Sequence, residues 1–200
     1  MRGRHSLPRS FAFAWAGLAE GALRDRNLRI HLAAGVLTGA FAAHAPLSPG
    51  ERALLVLCIA LVVGAESMNS ALEAVVDLAS PGWDERARIA KDAAAAAVLV
   101  IAAGSVLVFL GVAGPHLGAL PARAGALVLP TAGALVAAVA AFLLPAPFAR
   151  PRAADAGLAL AGVVGLGLVA WSAAGRAGTF AAACCLAVSL GGAARRRTGR

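Results

Sequence analysis

The 200-residue chain is 60% hydrophobic and 14% charged, with a mean hydropathy of +0.79, which excludes a soluble globular domain and points to an integral membrane protein. Its net charge of +8 does not mark a nucleic-acid binder, because the basic residues sit in short flanks between apolar runs, where membrane topology accounts for them. Cys58, Cys184 and Cys185 all fall within apolar runs, with no CxxC and no histidine at ligand spacing, so they read as small hydrophobes and not as a metal or redox site.

In chain order, Arg2, Arg4, His5 and Arg9 lead into an amphipathic segment, so no cleavable signal peptide is expected. Phe11, Trp15, Leu18 and Ala22 recur at helical spacing among Arg9, Glu20 and Arg24. They predict a short helix that lies in the membrane interface or packs on the other spans. The polar run Asp25-Arg26-Asn27-Leu28-Arg29-Ile30-His31 opens a first span over about residues 28–47, with Gly35 and Gly39 in a GxxxG spacing that favours close helix approach. Ser48-Pro49-Gly50-Glu51 is a helix start, with a capping serine, a proline suited to the first helical position and a glutamate that completes a capping box. The second helix runs to about residue 79, where Ser80-Pro81-Gly82 breaks it. At ~1.5 Å per residue it is about 45 Å long, more than the ~30 Å hydrocarbon core, so its end projects from one membrane surface. A charged segment, residues 83–92, leads into a third span at 93–113. Apolar runs near 124–146, 156–174 and 177–192 give three more. The chain therefore reads as an all-α integral membrane protein: an interfacial helix plus a three-span bundle in residues 1–113, then a hydrophobic extension, 114–200, with about three spans.

Nine of the ten acidic residues lie before residue 93, with Asp155 the exception, so carboxylate chemistry belongs to the first unit. The decisive stretch closes the second span. Residues 53–65 carry no charge, and then Glu66, Asn69, Glu73 and Asp77 arrive at helical offsets that place all four on one stripe. Carboxylates continuing an apolar span are expensive and mark a functional site. With the amino terminus inside, fifteen of the eighteen basic residues fall in inner segments and only Arg52, Arg123 and Arg176 in outer ones. Both termini are then cytoplasmic, and Asp25, the stripe and Lys91-Asp92 share that side, where ATP is available.

One carboxylate near a substrate hydroxyl serves as general base, two others hold Mg²⁺ beside nucleotide phosphates, and a lysine supplies positive charge to the transferring phosphoryl group. The set fits phosphoryl transfer to an alcohol at the membrane surface. A GxxxxGK[ST] loop is absent, and Gly162-Val163-Val164-Gly165-Leu166-Gly167 lies inside an apolar span, where helix packing explains it. A different class of protein, a non-enzymatic transport or scaffold component using the stripe for ions or partners, draws on the same carboxylates.

Glu66-Ser67-Met68-Asn69-Ser70-Ala71-Leu72-Glu73-Ala74-Val75-Val76-Asp77, followed by Ala90-Lys91-Asp92, resembles the prokaryotic diacylglycerol kinase family over about residues 9–113. The Arg26–His31 run looks more like its undecaprenol-kinase branch. The resemblance implies a bacterial inner-membrane lipid kinase, a homotrimer with sites between neighbouring subunits, ATP and Mg²⁺ as its requirements, and diacylglycerol or undecaprenol as the lipid alcohol. By matched position it implies Glu66 as general base, Asp25 and Glu73 as Mg²⁺ ligands and Asn69 as the positioning residue. Lys91 and Asp92 would then serve the nucleotide phosphates, with Phe13, Asp77 and the Trp83-Asp84 loop framing the nucleotide. Two features depart from the family: it usually has Glu where Asp25 stands, and its small members end after the third span. No lipid-phosphatase signature occurs in the extension, which is expected to serve packing, lipid contact or oligomer shape.

Overall fold

The computed structural model describes residues 6–119, 124–148, 150–172 and 176–198; of the basic residues used for topology, Arg2, Arg4, Arg123 and Arg200 lie outside them. The described residues are helical throughout apart from short connections: α1 (Leu7–Arg24), α2 (Arg26–His44), α3 (Pro49–Ala79), α4 (Glu85–Ala113), a 3-10 turn (Gly114–Ala119), α5 (Ala124–Leu143), α6 (Arg152–Ser172) and α7 (Arg176–Thr198).

Helix ends follow the capping chemistry written in the chain. The Ser48 hydroxyl accepts from Glu51 N at 3.3 Å while Glu51 Oε2 accepts from Ser48 N at 2.7 Å, satisfying two of the amides orphaned at a helix start. Asp25 Oδ1 caps α2 through Asn27 N at 2.7 Å, and Asp84 caps α4 through the amides of Arg86 and Ala87. The far end of α2 is closed by Arg52, whose guanidinium donates to the carbonyls of Ala42, Ala45 and Leu47. His116, in the 3-10 turn, meets Glu51 Oε1 at 3.1 Å and ties that turn to the start of α3.

Among the described residues five helices, α3 to α7, are long and apolar enough to cross a membrane. The helix expected as the first span, α2, is not among them. Its first two turns carry Arg26, Asn27, Arg29 and His31, and it is also enclosed by protein, with nine buried residues. Its neighbours are α7, α5 and α3. Within lipid the hydrophobic effect does not draw helices together; close packing of small residues does. Gly39 of α2 and Gly178 of α7 accordingly meet backbone to backbone: a Cβ added at Gly39 would lie 2.6 Å from Gly178 O and 2.9 Å from Ala182 N. Gly35 sits against the sulfur of Cys185, so the GxxxG pair of α2 is the seam for α7. In the same way Gly133 of α5 faces Gly165 of α6, and Gly162 faces Ala140, which gives the glycine-rich run of α6 a packing role.

The main core joins Leu28, Leu32 and Val36 of α2 with Ala22 of α1, Leu144 after α5 and Leu186 of α7. A smaller one joins the end of α2 to α3 and α4 through Leu47, Leu55 and Val112, with Phe41 and Phe109 in ring contact at 5.1 Å. By contrast, α3 and α4 are largely exposed in the single chain, through Leu61, Leu72, Leu99, Val100, Val106 and Leu107 among others.

The last helix runs further than its apolar stretch. It continues through Arg195, Arg196 and Arg197 to Thr198, because those charges are paired: Arg196 and Arg197 reach Asp155 at the start of α6, as does Arg150 before it. Asp155, 3% exposed at its side chain, thereby gathers the ends of α5, α6 and α7 at one level.

Candidate active site

The polar stripe of α3 grades from buried to exposed along its length. Glu66 is 2% exposed and Asn69 is buried, Glu73 is half-buried and Asp77 exposed. The carboxyl of Glu66 lies beside Asp25 and Asn27, and its Oε1 has no hydrogen-bond partner among the protein atoms. Native structures rarely leave such a buried oxygen unsatisfied, since desolvating it costs about 1–3 kcal/mol. Asn69 Nδ2 donates to Glu73 Oε1 at 3.0 Å, so the two residues hold each other one turn apart; Asn69 Oδ1 is likewise buried and unpartnered.

Asp25 enters from the junction of α1 and α2. One of its oxygens caps α2, and the other accepts from the Ser70 hydroxyl at 2.8 Å. Asp25, Glu73 and Asp77 line a single cavity of about 750 Å³, walled by α1 on one side and α3 on the other, with Arg24 and Arg26 at its edge. Lys91, projecting from α4, pairs with Asp77 and lines a smaller pocket of about 230 Å³ with Trp83, Asp84 and Arg88. The structure thus brings Asp25, Glu66, Asn69, Glu73, Asp77 and Lys91 into one connected region.

Two predicted residues stand apart. Asp92 is exposed and engaged with Arg88 at 2.5 Å, which also holds Glu85 at 2.6 Å, and it lines neither cavity. Phe13 is exposed on α1 and does not line them either. Conversely, Ser70, Glu20 and Arg24 belong to the site region and were not singled out by motif. Ser70 is one turn beyond Glu66, so helical periodicity places it beside the stripe; nothing in the local sequence marks Glu20.

Among the described residues no group of three or more His, Cys, Asp or Glu side chains is gathered as a metal cage. Asp25 and Glu73 on a common cavity are a two-carboxylate donor set, which matches the way Mg²⁺ binds through one or two carboxylates plus substrate phosphates. Below the stripe an apolar groove of about 260 Å³ runs between α2, α3 and α4, lined by Gly35, Leu55, Ile59, Val62 and Phe109, with His31 among them. Val62 is one helical turn from Glu66.

Comparison with known proteins finds matches over the first half of the chain. The family described as prokaryotic diacylglycerol kinase matches residues 12–113. The chain is 43% identical over 100 residues to a diacylglycerol kinase of Synechocystis, half of this chain and 57% of that relative's length. It is 35% identical over 102 residues to the undecaprenol kinase of Bacillus subtilis, covering 51% of this chain and 83% of the relative. It is 30% identical over 106 residues to the diacylglycerol kinase of Escherichia coli K12, covering 53% and 87%. No solved structure matches the chain.

Proposed function

The chain belongs to the prokaryotic diacylglycerol kinase family, and from that premise we propose that it transfers the γ-phosphoryl group of ATP to the hydroxyl of a membrane lipid alcohol, diacylglycerol or undecaprenol. The observation that carries this reading is the unpartnered, buried Oε1 of Glu66 at the apolar end of a stripe whose other end opens on the cavity lined by Asp25, Glu73 and Asp77. A lipid hydroxyl arriving from the bilayer donates to that oxygen. As Glu66 takes the proton, the alcohol oxygen attacks the γ-phosphorus, and the bond from that phosphorus to the β–γ bridging oxygen breaks to release ADP. The apolar groove ending one turn from Glu66 suits the chain of the lipid.

Asp25 and Glu73 would hold Mg²⁺ beside the nucleotide phosphates, and the group would supply charge neutralisation for the transfer. Asn69 keeps Glu73 in place. Lys91, drawn toward the cavity by Asp77, faces the phosphates from α4. Asp92, held by Arg88, orders the surroundings of Lys91. The kinase unit is residues 1–113, and the exposed apolar faces of α3 and α4 are where neighbouring copies of a homotrimer pack. The site faces the cytoplasm; α2, enclosed by its neighbours, crosses as a sixth span beside α3 to α7, which puts both termini on that side, and the membrane is the bacterial inner membrane.

The test is incubation of purified protein with labelled ATP and Mg²⁺ and, in parallel, diacylglycerol and undecaprenol. Label transferred to either lipid is the expected result. Retention of all label in nucleotide by a folded, membrane-reconstituted protein sinks the proposal.

A further inference from the structure

The α1 wall of the site cavity rests on a helix that lies outside residues 12–113. Ala14, Gly17, Leu18, Glu20, Gly21 and Arg24 of α1 line the cavity, while Trp15, Ala19 and Ala22 turn the other way, onto α7. A Cβ added at Gly191 would sit 3.1 Å from Ala19 Cβ and 3.2 Å from Trp15 Nε1. One added at Gly192 would sit 2.9 Å from the Ala19 carbonyl oxygen, 2.9 Å from Pro145 Cβ and 3.4 Å from Ala22 Cβ. The two helices are therefore as close as glycine allows, and at Gly192 the obstacle is main chain, which does not swing aside. A further hold on α1 is at its end, where Arg29 donates to the carbonyls of Ala22 and Leu23 at 3.4 and 3.2 Å.

A second, polar link lies one turn beyond the glycines. Glu20, on the rim of the cavity, accepts from Arg24 at 2.5 Å and pairs with Arg195 of α7 at 3.6 Å. Arg195 is itself fixed in rotation, because the next two arginines are locked onto Asp155 and Arg196 also donates to the carbonyls of Ala146 and Phe148 at 2.7 and 2.8 Å. The order of support runs from the Asp155 knot to Arg195, to Glu20, to Arg24, a cation on the cavity edge.

We propose that α7 sets the position of α1 over the site: Gly191 and Gly192 fix how closely α1 lies, and Arg195 holds Glu20, and through it Arg24, at the nucleotide side of the cavity. Gly192 and Arg195 are positioning residues, and the extension is thereby part of the nucleotide site's architecture. This rests on the kinase reading above for its nucleotide, and it adds that residues beyond the family match tune that nucleotide's binding.

Three full-length variants test it: Gly192→Ala, Arg195→Gln and Arg195→Lys. Each is assayed for amide hydrogen exchange across residues 7–24, for equilibrium affinity for Mg-ATP, and for turnover at saturating nucleotide. Gly192→Ala should speed exchange in α1 but not in α4, and weaken Mg-ATP about tenfold, the scale of one hydrogen bond to a charged group. Turnover at saturation should change much less. Arg195→Gln should act in the same direction, and Arg195→Lys, which keeps the charge, should restore most of the affinity. Faster exchange in α1 with unchanged Mg-ATP affinity overturns the proposal, as does unchanged exchange in a folded Gly192→Ala protein. If the parent protein binds Mg-ATP but phosphorylates no lipid, the kinase reading fails while the exchange and affinity measurements still decide the role of α7.

Discussion

The Ser70 hydroxyl donates to Asp25 Oδ2 at 2.8 Å, joining the polar stripe of α3 to the start of α2. Asp25 consequently has two duties, since its other oxygen caps α2 through Asn27 N. The duties separate by substitution. Asn is as good a helix cap as Asp, whereas Ala in its place costs about 1 kcal/mol. Asp25→Asn should therefore unfold like the parent but lose turnover by about 10²-fold or more, the scale of removing one preorganised electrostatic contact. Asp25→Ala should lose both. Lipid phosphorylation and thermal unfolding on the same preparations check this, and a fully active Asp25→Asn protein would remove Asp25 from the metal set.

Glu73 is the second proposed ligand, and its Oε1 accepts from Asn69 at 3.0 Å. Glu73→Gln keeps an oxygen acceptor for that bond and removes the charge. Mg-ATP affinity should fall at least tenfold, about 1.4 kcal/mol, with the fold intact. Calorimetric titration of Mg-ATP into each protein measures it directly. Unchanged affinity would place the metal on other groups.

Much of α3 was legible because its signals are local. The Ser48–Glu51 capping box and the Ser80-Pro81-Gly82 break bound it where the structure does, and helical spacing alone gathers Glu66, Asn69, Glu73 and Asp77 on one face. The Gly35–Gly39 spacing announced a close neighbour without naming it. A small-residue seam specifies distance and not partner, and the choice of α7 depends on Gly178, well over a hundred residues away in the chain. The apolar run near 177–192 stops short of where α7 ends, because Arg195, Arg196 and Arg197 continue the helix only with Asp155 and Glu20 to receive them. Asp92 carries a contact that the motif does not announce: it pairs with Arg88, four residues earlier on the same helix, as i, i+4 spacing allows.

The Gly39–Gly178 contact predicts a position-specific sensitivity. A Cβ at Gly178 would lie 2.6 Å from Ala43 N, with the Gly39 carbonyl closer still. Gly178→Ala should destabilise by about 1–3 kcal/mol, as overpacking does. Gly167→Ala, where nothing lies within 4 Å of the added atom, should stay within about 0.5 kcal/mol of the parent. Unfolding of the two variants in the same detergent compares them, and equal stabilities would mean that α2 and α7 do not pack through these glycines.

Glu66 offers the sharpest separation of roles. It is the most enclosed carboxylate of the stripe, at 2% exposure, and it precedes Glu73 by seven residues, about 10 Å of helical rise. In the proposed reaction it meets the substrate that comes from the apolar side, while Glu73 meets the one that comes through the open cavity. Glu66→Gln conserves shape and an acceptor oxygen but cannot take up a proton at physiological pH. It also leaves Asp25 and Glu73 untouched. Loss of a general base lowers rates by ~10²–10⁴-fold, so turnover should drop by that amount while Mg-ATP affinity stays within about threefold, under ~1 kcal/mol. Both quantities are to be read from one folded preparation reconstituted with the lipid acceptor. Near-parental turnover would dismiss Glu66 as the base. Lost Mg-ATP affinity in a folded protein would instead assign Glu66 to the nucleotide's metal, and the base would then have to be sought among the other carboxylates of the cavity, Asp25, Glu73 and Asp77.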